Sequence, residues 1–172
     1  MRTATIHELK QELQAVPQTR LLELCLRLAR FKKENKELLT YLLFESHDEE
    51  AYIRSVKEMM DESFEGLSSA VYLAKKTLRK VLRMANKYIR YTGSKVVEAS
   101  LLIHFCRKLK ESGLDITHTA VLANLYRNQL QKAAAAVASL HEDLQYDLNK
   151  ELEPLLVKQD APEIFRFLRR KR

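Results

Sequence analysis

Three features of the 172-residue sequence predict an all-α fold of about seven to nine helices: few turn residues, apolar spacing near 3.6, and recurring capping signatures. Glycine and proline number 3 each, where average usage would give about 20 in total. That scarcity excludes a sandwich or barrel, which needs frequent tight turns. Hydrophobic residues at 46% and charged residues at 31% describe a globular chain rather than a disordered one. The length suits a single domain able to bury roughly 70% of its unfolded surface.

The elements follow in order. Thr5 with Glu8 three positions later is a capping box opening a short helix, which Pro17 ends. Thr19 opens a second helix to about residue 33, with Leu21, Leu22, Leu24, Leu28 and Phe31 inward. Asn35 is expected to cap a third, and Ser46 with Glu49 a fourth that carries Tyr52, Ile53, Val56, Met59, Met60 and Phe64. Gly66 suits the left-handed position at its end. Ser68 or Ser69 opens a fifth helix to about Tyr91, closed by Gly93, and Ser94 caps a sixth, closed by Gly113.

Residues 117–157 keep helical apolar spacing throughout, from Leu122 to Leu155. As one helix this stretch would span roughly 60 Å, more than the roughly 40 Å width of a compact globule of this length. It therefore projects or breaks, and the capping pattern of Ser139 with Glu142 favours a kink or break near Ser139. Homodimerisation through this stripe is expected if half of it stays exposed. Asp160, Pro162 and Glu163 begin a last helix with Ile164, Phe165 and Leu168.

Short connections make sequential helices neighbours, so stacked antiparallel helical hairpins, forming an irregular α-α superhelix or a bundle, are the expected architecture. One domain over 1–172 is expected, with any sub-boundary near 112–117. LLELCLRL at 21–28 is faintly similar to LLIHFCRKL at 101–109, but the cysteine shifts by one position and register is lost. Cys25 and Cys106 both lie in apolar stripes without metal or redox spacing and read as small core residues.

The opening third, ELKQELQAVPQTRLLELCLRLARFKKENKELLTYLLF, resembles uncharacterised bacterial all-helical proteins that begin with a short helix, a Pro- or Lys-containing turn and an LLELxL helix. The resemblance covers about the first 50 residues. It implies a helical beginning and brings with it no activity and no site residue.

Charge is segregated along the chain. Residues 1–44 carry a net +3, 45–65 a net −6, 66–97 a net +8 and 98–172 a net +2. On a helical wheel, Lys75, Lys76, Arg79, Lys80, Arg83, Lys87 and Arg90 share one arc of about 140°, opposite Leu78, Val81, Leu82, Ala85, Tyr88 and Ile89. No acid stands between Glu65 and Glu98. Pairing with the preceding helix, whose Glu58, Asp61, Glu62 and Glu65 share a side, or plain solvation, accounts for the pattern without a ligand. The functional alternative is a phosphate-binding face for nucleic acid, ahead of an anionic membrane surface or an acidic protein. Tyr72 shares the cations' wheel angle, whereas Tyr88 falls on the apolar arc. Arg166, Arg169, Arg170, Lys171 and Arg172 form a second basic cluster, read first as a complement to a helix carboxyl end and otherwise as an extension of a phosphate track.

Catalytic constellations are scarce. His7, His47, His104, His118 and His141 show no HExxH or ExxH arrangement, and His104, between Ile103 and Phe105, reads as a hydrogen-bonded boundary residue. Asp143 and Asp147 beside His141 and Glu142 are better read as solvated carboxylates than as a metal site. No Gly-rich phosphate loop or nucleophile elbow is present. No metal, cofactor or catalytic residue is therefore expected. The sequence points first to a non-enzymatic, cytoplasmic protein-interaction or scaffold module without membrane insertion, and second to a nucleic-acid binder using the basic helix face.

Overall fold

The computed structural model describes residues 2–156. Within them lie eight α-helices and no strand: α1 (Ile6–Ala15), α2 (Gln18–Phe31), α3 (Lys33–Thr40), α4 (Glu49–Glu65), α5 (Val71–Thr92), α6 (Lys95–Glu111), α7 (Ala120–Val137) and α8 (Glu142–Leu152). A π-helical turn, Tyr41–Glu45, follows α3, and a 3-10 turn, Glu153–Leu155, follows α8. The expected helix over 160–168 and the basic cluster from Arg166 to Arg172 lie outside the described residues.

The chain divides into two compact units at Ser46, not near 112–117: Met1–Ser46 and His47–Arg172. In the first, the Thr5/Glu8 capping box forms as the sequence predicts, Glu8 accepting from the Thr5 amide at 2.7 Å. α2 starts behind Pro17, whose carbonyl accepts from the Arg20 and Leu21 amides. Asn35 caps no helix start. Its side-chain amide instead donates to the Leu28 carbonyl at 2.8 Å, covering an acceptor near the end of α2. α2 packs on α3, yet Tyr41 is the unit's only buried side chain among the described residues, and Cys25, expected in a core, is exposed.

The second unit is a bundle around α6, which touches α4, α5, α7 and α8. Nine of its seventeen residues are buried, among them Leu101, Leu102, Ile103, Phe105 and Cys106. Phe105 meets Phe64 edge-on at 5.7 Å between ring centres. The serines expected to open α4 and α5 do not cap them. Asp48, not Ser46, accepts from the Ala51 amide at 2.8 Å to open α4, while Ser46 donates back to the Leu42 carbonyl. Ala70, not Ser68 or Ser69, precedes α5. Gly66 has φ −89° and not the left-handed geometry expected of it, whereas Gly93 at φ 65° does end α5 in that conformation. Ser94 then caps α6 as expected, accepting from the Val97 amide.

The stretch 117–157 breaks where expected, between Val137 and Glu142, although His141 occupies the cap position and Ser139 Oγ donates to the Ala136 carbonyl at 2.7 Å. The break folds the stripe back on its own chain, burying Leu122, Leu130, Ala133, Val137, Leu148, Leu152 and Leu155. Less of the stripe is therefore left for the expected homodimer contact, although its Leu144 stays 43% exposed. Tyr126 Oη donates to the Leu155 carbonyl at 2.6 Å, and Arg107 pairs with Glu151 at 2.7 Å, fastening this return to α6 and α7.

Candidate nucleic-acid interface

α5 is a 22-residue helix with two chemically distinct sides. Ala74, Leu78, Val81, Leu82 and Ala85 are buried, and α4 and α6 pack against the helix. Burying each larger apolar side chain stabilises the arrangement by about 1.5–3 kcal/mol, which holds α5 in one rotational setting. The opposite arc then faces solvent: Lys76, Arg79, Lys80, Arg83 and Arg90 are exposed, and Lys75 and Lys87, nearer its edges, are half-buried. All seven cations predicted to share a face therefore do so. From Lys75 to Arg90 the row is roughly 22 Å long at 1.5 Å per residue.

The acidic residues of α4 do not neutralise this row. Asp61 turns to α6, where its Oδ1 lies 2.7 Å from His104 Nε2 and 3.2 Å from Lys108 Nζ. Glu58, Glu62 and Glu65 are exposed. Among the described residues, no ion pair joins an acid to Lys75, Lys76, Arg79, Lys80, Arg83 or Arg90. Within the row Arg83 Nε donates to the Arg79 carbonyl at 3.4 Å, which leaves both terminal forks free to donate to a phosphate.

Tyr72 stands at the start of the same face and is 81% exposed. An open depression runs over the face, lined by Tyr72, Lys75, Lys76, Arg79 and Arg83 together with Leu82 and Asn86. Tyr88, by contrast, is half-buried: its ring meets Tyr52 edge-on at 6.2 Å and Tyr91 at 6.0 Å, and its hydroxyl lies 3.7 Å from Met59 Sδ. Its place on the apolar arc anticipated this. Lys87 Nζ sits 4.7 Å over that ring, so one cation of the row is partly engaged by an aromatic face.

Elsewhere, burial shifts two titratable groups of α6. Burial pulls His104 below the ordinary histidine value; the Asp61 hydrogen bond and charge oppose that, and Lys57 and Lys108 add to it. Burial likewise pushes the Cys106 thiol well up. His141 Nδ1 lies 3.4 Å from Asp143 Oδ2 with both side chains in solvent. Among the described residues, no three His, Cys, Asp or Glu side chains converge as a metal site would require. None of the described helices is long and apolar enough to cross a membrane. No family model, curated protein or solved structure matches this chain.

Proposed function

We propose that the chain binds nucleic acid in the cytoplasm through the phosphate backbone, using the exposed face of α5. One observation carries this reading: six lysines and arginines stand in a single row of roughly 22 Å without an acidic partner among the described residues, while Asp61 of the neighbouring acidic helix is engaged by α6. Duplex DNA carries a phosphate about every 3.4 Å of axis on each strand, but each strand winds round that axis, so a straight row of roughly 22 Å follows one strand for only part of its length and meets phosphates of both. Releasing the counterions condensed on those phosphates drives association. Phosphate contacts position a protein without reading bases, so little sequence preference is expected. Tyr72 offers an aromatic ring beside the cations on which an unpaired base can stack.

The test is a titration of labelled single- and double-stranded oligonucleotides against wild-type protein and a Lys76→Glu, Lys80→Glu, Arg83→Glu variant. All three side chains are exposed, so helicity should be unchanged, and binding should be lost. Equal binding by the variant would remove α5 from the account. A second reading, a protein-interaction or scaffold module, is favoured by the apolar surface of the first unit, where ten large apolar side chains are at least 42% exposed.

A further inference from the structure

The depression over the basic face of α5 is lined by more than cations. Tyr72, Leu82 and Asn86 share its wall with four members of the row. On a helical wheel these seven residues fall within about 120°, so the depression follows one flank of the face. From Tyr72 to Asn86 it runs roughly 21 Å at 1.5 Å per residue. Its volume is about 570 Å³. Pockets for small organic ligands span about 300–1,000 Å³.

Phosphate contacts alone leave the uncharged residues of this wall without a role. The Tyr72 ring stands in solvent at one end, and Val71 and Leu73 on either side of it are exposed as well. Leu82 is buried and gives the wall an apolar patch. Asn86 is exposed, and its amide both donates and accepts, as the edge of a nucleobase does. A ring, an apolar patch and an amide beside a run of cations are the parts that hold unpaired bases next to their own backbone.

A duplex cannot use these parts. Its bases are covered above and below by their neighbours, so a ring outside the helix finds no base face to stack on. Its strands also wind away from a straight row, whereas a single strand is free to run the length of the row with its bases turned into the depression.

We infer that this site takes single-stranded nucleic acid in preference to duplex, with the backbone along the α5 cations and a base stacked on Tyr72. The inference rests on the phosphate-binding reading of α5 and adds to it the form of the strand.

The test uses the full chain and an unstructured strand of about 16 nucleotides, as DNA, as RNA, and as DNA annealed to its complement. At equal salt the single strand should bind about tenfold tighter than the duplex. Tyr72→Ala should lower single-strand affinity about tenfold and leave duplex affinity unchanged, while Tyr72→Phe, which keeps the ring, should behave as wild type. An abasic strand, which keeps the phosphates, should bind wild type and Tyr72→Ala equally. Either strand bound above the duplex upholds the inference, and the tighter of the two names its sugar. Duplex bound as tightly as single strand, or a Tyr72→Ala loss that the abasic strand also shows, would overturn the inference and leave phosphate binding by α5 standing. Binding of no oligonucleotide, or only of vesicles containing phosphatidylserine, would overturn both.

Discussion

Asp61 Oδ1 lies 2.7 Å from His104 Nε2, and the same oxygen lies 3.2 Å from Lys108 Nζ. This contact ties α4 to α6 and engages one acidic side chain of α4 with residues of α6. His104 is only 12% exposed at its side chain, so losing its partner leaves a polar group with little access to water. Asp61→Ala should therefore lower stability by about 1–2 kcal/mol in urea unfolding. Oligonucleotide affinity should be unaltered, because Asp61 pairs with nothing on α5.

The same histidine makes stability depend on pH. With its folded value below the ordinary one near 6.5, chiefly through burial, His104 takes up a proton more readily in the unfolded chain. Stability should then fall as pH drops below about 6.5, until the folded value is passed. Glu8 and Asp115, whose carboxyls are held below their ordinary values mainly by backbone hydrogen bonds with Thr5 and His118, contribute stability that is lost only at more acid pH. Urea midpoints between pH 7 and 5 should decline for the wild type and be flatter for His104→Gln.

Tyr126 offers a sharper probe of the chain's return after the break at Ser139. Its hydroxyl is buried and donates to the Leu155 carbonyl at 2.6 Å. Removing that donor strands a carbonyl on a turn that is itself buried at Leu155. Tyr126→Phe should cost about 1–2 kcal/mol in denaturant unfolding and increase hydrogen exchange in α8 before α6.

Phe105 is fully buried at the centre of the bundle, against Phe64. Phe105→Ala should destabilise the second unit by about 3–5 kcal/mol, through lost transfer energy and the cavity left behind. A calorimetric scan should show the transition of this unit fall steeply.

Helix positions were legible because their signals are local. Thr5 with Glu8, Gly93 and Ser94 act within a few residues of themselves, and the spacing of Leu78, Val81, Leu82 and Ala85 fixes which side of α5 is buried. The serine caps failed where a neighbour competed. Asp48 is the stronger acceptor two positions beyond Ser46, and Ser139 satisfies the preceding helix instead of opening the next. The central place of α6 did carry a signal, the run ASLLIHFC at 99–106, which is apolar over more than one full turn and therefore marks a helix covered on all sides.

The candidate site was legible as a face but not as an unpaired one. A helical wheel places seven cations on one arc; it cannot say whether Asp61 looks towards α5 or α6, because that depends on how α4 is rotated by Val56 and Met60 in the core. Cys25 was misread for the same reason. Its stripe matches that of Cys106, but α6 is surrounded by four helices, and α2 lies in a unit whose only buried side chain, among the described residues, is Tyr41.

The salt dependence of oligonucleotide binding tests the role of α5 most directly. Six free cations predict that the logarithm of the association constant falls linearly with the logarithm of salt concentration, with a slope of about −5 on duplex DNA. Arg79→Ala, Arg83→Ala should reduce the magnitude of that slope by about 2. Absence of binding at low salt, or a slope that the double variant leaves unchanged, would contradict phosphate recognition by this face.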